Sequence, residues 1–167
     1  DKSLLLTKVD RNYRITNGPA FIDQFNFYHT DSAKKIIYKI KINKKDKIVS
    51  KKIFKKFSLS EGSPDGMTLD KNKNLWVAHF HGACVSVFNI KAKLIHRIHL
   101  PAKNITNCTF GGLKNNEIFI TSATKGMNSA DLQKFKYSGF LFSIKSNIKG
   151  INQKKFILKN AKKRSLL

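Results

Sequence analysis

Short apolar, β-branched and aromatic runs alternate along the whole chain with turns rich in Asn, Asp, Gly and Lys. No stretch keeps the 3.6-residue periodicity of a long helix, so the pattern predicts an all-β protein. The predicted strands form three groups of four: 18–22, 26–31, 35–42 and 48–57; then 66–70, 75–80, 84–90 and 94–100; then 108–113, 117–123, 139–145 and a weaker 154–158. Each group predicts one four-stranded antiparallel sheet.

An oxygen-bearing side chain recurs near the start of each group, at Asn17, Asp65 and Asn107. These anchors are 48 and 42 residues apart, which is close to the roughly 40 to 50 residues of one propeller blade. An aromatic residue follows each anchor after 11, 11 and 12 residues, namely Tyr28, Trp76 and Phe119. The repeat predicts a β-propeller of which about three blades are present.

Blade sheets are covered on both faces by their neighbours, which explains why 75–78 is a continuous apolar run instead of an alternating one. Two segments depart from the blade pattern. Residues 128–133 predict one helical turn capped by Ser129 within a long loop. Leu4 to Leu6, together with Val9 and Asp10, predict the outer strand of a preceding blade.

The length of 167 residues and the hydrophobic fraction of 41% indicate one domain. We expect a partial propeller over 1–158 and a basic C-terminal tail over 159–167. No apolar run approaches the roughly 20 residues that span a bilayer, and the first residues lack the features of a signal peptide. The expectation is a soluble, cytoplasmic protein without a membrane partner, preceded by further residues before Asp1.

The formal charge of +23 makes nucleic acid binding a hypothesis to weigh, because phosphate contacts reward clustered basic residues. Of the 33 basic residues only four are arginines, and the lysines are spread through every segment. Few aromatic or guanidinium groups are placed for stacking on bases. A solvated lysine-rich surface is the favoured interpretation, and a basic binding module remains the alternative. Cys84 and Cys108 lack disulfide or metal spacing and are expected as buried reduced thiols.

A set of short motifs recurs in order along the chain at blade spacing. They are Ile15-Thr16-Asn17-Gly18, Phe27-Tyr28-His29-Thr30-Asp31-Ser32, Pro64-Asp65-Gly66-Met67, Leu75-Trp76-Val77-Ala78, Leu100-Pro101, Cys108-Thr109-Phe110-Gly111-Gly112, Ile118-Phe119-Ile120-Thr121-Ser122-Ala123 and Gly139-Phe140-Leu141-Phe142. Through these motifs the chain resembles the senescence marker protein 30, gluconolactonase and regucalcin family of six-bladed propellers. The resemblance covers about residues 4 to 156 and implies half of a six-bladed propeller, with the N-terminal blades of the family expected upstream in the full-length protein.

The resemblance implies that Asn17 and Asp65 are metal ligands at the mouth of the axial channel. Their oxygens suit Ca²⁺ or Mg²⁺, and Zn²⁺ or Mn²⁺ can also be accommodated. A glutamate ligand and the substrate-holding arginine and asparagine of the family belong to the missing half. The alternative is that both residues only form turns, Asp65 with Gly66 after Pro64 and Asn17 before Gly18. Metal binding is the favoured interpretation because the two residues occupy matching positions in successive repeats.

The implied activity is metal-dependent hydrolysis of a sugar lactone to an aldonic acid, with Asp65 also available as the general base. The missing ligands predict that the chain alone is inactive. The alternative is a non-catalytic, divalent-metal-binding regulatory propeller of the regucalcin kind. No GxSxG motif is present, which disfavours covalent acyl transfer.

Two further motifs leave alternatives open. His79 and His81 have the i,i+2 spacing that places side chains on one face of a strand, so they are candidates for a substrate contact or a second metal site. Packing histidines are the favoured interpretation, because no third ligand is identifiable. Residues 70–74 resemble the opening of an EF-hand loop, but Leu75 replaces the required glycine, so a hairpin turn is predicted.

Overall fold

A computed structural model describes residues 7–152 as eleven strands in three antiparallel sheets, with one short α-helix. The first sheet contains β1 (Thr16–Phe21), β2 (Asn26–Asp31), β3 (Ile36–Ile42) and β4 (Ile48–Lys56). The second contains β5 (Ser63–Leu69), β6 (Leu75–Phe80), β7 (Cys84–Phe88) and β8 (Leu94–His99). In both sheets the strands pair in chain order, which is the topology of a propeller blade.

The third sheet contains β9 (Asn104–Gly111), β10 (Glu117–Ala123) and β11 (Leu141–Lys145), again paired in chain order. The fourth strand predicted for this sheet, 154–158, lies outside the described residues. The predicted C-terminal tail, 159–167, and Leu4 to Leu6 also lie outside the described residues. The division of the chain into a propeller domain and a tail therefore stays a prediction. The prediction of three blades, half of a six-bladed propeller, is confirmed by these sheets.

Strands β5 to β7 of the middle sheet are buried, and β6 is covered on both faces, as its continuous apolar run predicts. Trp76 and Ala78 belong to the cluster that packs against the third sheet, where Trp76 meets Phe110 edge to face with ring centroids 5.2 Å apart. Leu75 and Val77 belong to the cluster that packs against the first sheet. Alternate residues of one strand therefore support two different interfaces, because successive side chains point to opposite faces.

The turn between β5 and β6 is the hairpin turn that the sequence predicts. The fully buried Asp70 carboxylate accepts hydrogen bonds from the backbone of Asn72 and Asn74, both at 2.9 Å. It also accepts from the indole Nε1 of Trp76 at 3.0 Å. The Asp70 carboxylate thus holds the turn through Asn72 and Asn74 and joins it to the buried core through Trp76.

Two local predictions are wrong. Helix α1 (Ser129–Lys134) is capped by Asn128 and not by Ser129, because Asn128 has the extended backbone of a cap and its Oδ1 accepts from the backbone N–H of Asp131 at 2.8 Å. Val9 and Asp10 lie outside any strand. The Asp10 carboxylate is instead held by Lys51 Nζ at 2.8 Å and by the Tyr13 hydroxyl.

Cys84 and Cys108 are both buried and free, as expected. Burial raises the pKa of the Cys108 thiol to about 12, so this thiol is not a nucleophile near neutral pH. One face of the first sheet is open and forms a concavity of about 700 Å³ lined by Phe21, Phe27, Ile40 and Ile48 among others. This is the face that a preceding blade would cover.

Candidate metal centre

Asn17 and Asp65 lie at equivalent positions in β1 and β5, the first strands of the first two sheets. Thr16 is paired with Asp31, and Pro64 is paired with His79. A one-residue shift in register follows in each strand, between Asn17 and Ala20 and between Pro64 and Met67. Such bulges redirect side chains, and they occur next to functional sites.

The strands β1 and β5 lie against each other, and β5 lies against β9. Gly18 has φ of 88° and sits so close to β5 that a Cβ there would be 2.7 Å from the Met67 Cε. The end of the Met67 side chain can move to make room for a methyl group, so the backbone conformation is what requires glycine beside the first candidate ligand.

The Asp65 carboxylate is half-buried and has no basic partner within the described part of the chain. Burial raises the pKa of Asp65 to about 6, and only the backbone N–H of Gly66 opposes this shift. Four other carboxylates are each paired with a cationic side chain. The fully buried Asp70 also lacks a cationic partner, but its carboxylate accepts several hydrogen bonds, whereas Asp65 has only the adjacent N–H of Gly66 to offset its burial.

The Asn17 carboxamide is fixed by one hydrogen bond. Its Nδ2 donates to the Oγ of Ser32 at 2.9 Å, and Ser32 is buried directly after β2. Because this bond uses the NH₂ end, Oδ1 is the atom that can bind a cation. The role of Ser32 was missed in the sequence, where Thr30-Asp31-Ser32 was visible only as part of a motif.

The third anchor, Asn107, lies in β9 with an exposed side chain. Its Oδ1 accepts from the backbone N–H of Cys108 at 2.9 Å. The sequence predicts Asn107 as the anchor of the third sheet and not as a metal ligand. Its position on β9, beside β5, agrees with its place in the repeat.

The two histidines are not brought together. His79 is fully buried in β6, packs edge to face on Phe57 with ring centroids 5.3 Å apart, and donates from Nδ1 to the Glu61 carbonyl at 2.7 Å. His81 lies beyond the end of β6, is exposed and has φ of 64°. The expectation that they share one face of the strand is therefore wrong, because the strand ends between them.

The donor set suits a hard divalent cation. An amide oxygen from Asn17 and a carboxylate from Asp65 are oxygen ligands of the kind that Ca²⁺ and Mg²⁺ prefer. No group of three His, Cys, Asp or Glu side chains that could hold a metal occurs in the region 7–152. The described residues therefore fit a cation as part of a ligand set.

The model of the family described as SMP-30/Gluconolactonase/LRE-like region matches residues 1–124. The chain belongs to this family. It is 39% identical over 98 residues to regucalcin of Danio rerio, an alignment that covers 58% of this chain and 33% of that protein. It is 28% identical over 120 residues to the pentonolactonase of Haloferax volcanii, covering 71% of this chain and 41% of that one.

The crystal structure of a regucalcin from Agrobacterium tumefaciens has the same fold, with a TM-score of 0.83 and 20% identity. That likeness covers 91% of this chain and 52% of the other, so this family member spans about half the length of that structure. Across the described residues, no helix has the length and apolar composition needed to cross a membrane.

Proposed function

We propose that the full-length protein hydrolyses a sugar lactone to an aldonic acid at a divalent cation held by Asn17 and Asp65. The observation that carries the proposal is the half-buried Asp65 carboxylate without a basic partner in the described chain, placed one blade from an equivalent amide oxygen. An isolated negative charge of this kind is costly unless a cation compensates it. The pentonolactonase relative supports the reaction class.

A bound cation would polarise the lactone carbonyl and stabilise negative charge on its oxygen. Asp65 has the role of the general base: its carboxylate takes a proton from the attacking water while the water oxygen bonds to the carbonyl carbon. The ring C–O bond then breaks, and its oxygen takes the proton back from Asp65 to become a hydroxyl group, which regenerates the Asp65 carboxylate. Burial alone raises the pKa of Asp65 to about 6, and a bound cation would lower it again, so the carboxylate is ionised and available as a base at pH 7.

Two protein ligands are fewer than the six to eight oxygens that Ca²⁺ takes. We therefore expect the remaining ligands from the blades upstream, and the 167-residue chain alone to be inactive. The substrate is a small sugar lactone, and the basic surface favours anionic forms of it.

The test is hydrolysis of glucono-1,5-lactone and pentonolactones by the full-length protein, followed with a pH indicator, with and without a chelator. Asp65→Asn is expected to lower kcat at least a hundredfold and to weaken cation binding measured by calorimetry. The matched control is Asp46→Asn, which neutralises an exposed aspartate in the turn between β3 and β4. Turnover unaffected by both the chelator and Asp65→Asn would refute the mechanism.

A non-catalytic, cation-binding regulatory role is the second candidate, favoured by the 39% identity to a regucalcin. Cation binding that depends on Asp65, with no turnover of any lactone tested, would support this role instead. Retention on DNA that falls steeply with salt, with neither cation binding nor turnover, would support a basic binding module.

A further inference from the structure

The segment that leads into β1 is held by the residues that end β2. The fully buried Asp31 accepts hydrogen bonds from the backbone N–H groups of Arg14 at 3.1 Å and Ile15 at 3.4 Å. The backbone N–H of Ser32 donates to the Ile15 carbonyl at 2.9 Å. The backbone just before Asn17 is thereby fixed to the end of β2.

The second sheet uses an equivalent contact. His79 occupies the register position of Asp31, opposite the residue that precedes the candidate ligand. Its Nδ1 donates to the carbonyl of Glu61, in the segment that leads into β5. Both candidate ligands therefore start from a backbone that is anchored to the neighbouring strand.

The two sheets differ at the next position, where Ser32 in the first corresponds to Phe80 in the second. Ser32 contacts the Asn17 side chain through its Oγ, whereas the side chain of Asp65 has no such partner among the residues described. The chemistry of the ligands explains the difference. The two ends of a carboxamide are unlike, one an acceptor and the other a double donor, but the two oxygens of a carboxylate are equivalent.

We infer that Ser32 is a positioning residue that orients the Asn17 carboxamide with Oδ1 toward the cation. The inference rests on the proposed metal site. With Nδ2 bound to the Ser32 Oγ, the amide presents Oδ1 to the cation. Rotating the amide by half a turn would place NH₂ at the cation and would require the Ser32 hydroxyl to change from acceptor to donor. Outer partners of this kind keep ligands in the productive orientation, and their loss typically costs 10–100-fold in metal affinity.

Ser32 is 6% exposed as a residue, so water does not readily replace its hydroxyl when that group is removed. Ser32→Ala keeps the Asp31 carboxylate and the backbone N–H of residue 32, and it removes only the Oγ that accepts from Asn17. The variant therefore separates orientation of the amide from anchoring of the lead-in segment.

The experiment uses the full-length protein, titrated with Ca²⁺ by calorimetry and with Tb³⁺ by luminescence. Ser32→Ala is expected to weaken binding of both ions about tenfold. The matched control is Ser86→Ala, which removes a buried hydroxyl that also accepts one hydrogen bond, from Arg97 Nε at 3.0 Å, in β7. Ser86→Ala is expected to leave the affinity for both ions unchanged, even if it lowers the melting temperature as much as Ser32→Ala does.

A second readout does not depend on the cation. The side-chain NH₂ resonances of Asn17, assigned by their loss in Asn17→Asp, are expected to shift and to exchange faster with water in Ser32→Ala but not in Ser86→Ala. Unchanged resonances, or equal affinity of Ser32→Ala and wild type, would overturn the positioning role. A wild-type protein that binds neither ion would instead refute the proposed function, so the two failures are distinguishable.

Discussion

Gly66 and Asn107 approach so closely that a Cβ on Gly66 would lie 2.8 Å from the Cα of Asn107 and would overlap its side chain. The two residues belong to β5 and β9, and Gly66 directly follows Asp65. Space between neighbouring first strands, and not backbone conformation, is what requires glycine here. The position of the candidate ligand thus depends on contact between two blades.

Gly66→Ala is expected to destabilise the protein by about 1–3 kcal/mol, since the added methyl group forces the two strands apart. Urea unfolding followed by Trp76 fluorescence measures the effect. The double variant Gly66→Ala, Asn107→Ala is expected to recover part of the loss, because Asn107→Ala removes the overlapping side-chain atoms. Gly126→Ala is the control: its φ of 74° is strained for alanine, yet the site is open, so Asn107→Ala should not rescue it.

Asp65→Asn is expected to stabilise the chain at pH 7 when a chelator is present. The pKa of Asp65 is raised from 3.8 to about 6 by burial, so the folded state loses stability as pH rises from about 4 through 6 while this group ionises. Asn does not ionise and avoids this loss. After allowance for solvent screening, the difference is on the order of 1 to 2 kcal/mol at pH 7 and vanishes near pH 3.

The measurement is the free energy of unfolding of wild type and Asp65→Asn between pH 3 and 7. Saturating Ca²⁺ is expected to reverse the order of stability at pH 7 in the full-length protein, because only the carboxylate gains a compensating charge. A pH-independent difference between the two proteins would contradict the uncompensated burial of Asp65.

Asp70→Ala is expected to cost about 3 kcal/mol or more, because it leaves the buried Trp76 indole N–H and two turn N–H groups without their acceptor. Asp70→Asn should cost less, since its amide oxygen still accepts. Thermal and urea unfolding measure both variants. Asp46→Asn, in an exposed turn, is the control and should change stability little. Equal losses for Asp70→Ala and Asp46→Asn would contradict the anchoring role.

The isolated 167-residue chain is expected to self-associate at moderate salt through the open face of the first sheet. Phe21 lies on this face and is 46% exposed. Phe21→Lys adds a charge to the face and should shift the association to higher protein concentration in sedimentation experiments. Ile95→Lys adds the same charge at a 48% exposed residue of β8 and is the matched control. If both variants associate to the same extent, self-association does not use the open face of the first sheet.

The blade pattern, the apolar run of β6 and the hairpin turn at Asp70 could be predicted from the residues, because strand periodicity and turn chemistry are local properties. The repeat spacing also pointed to Asn17 and Asp65. The folded chain was needed to show that Ser32 binds the Asn17 side chain and that Asp65 has no basic partner in the described region. It was also needed to show that β6 ends between His79 and His81. Those contacts depend on bulges and on neighbouring strands distant in sequence, which residue patterns do not encode.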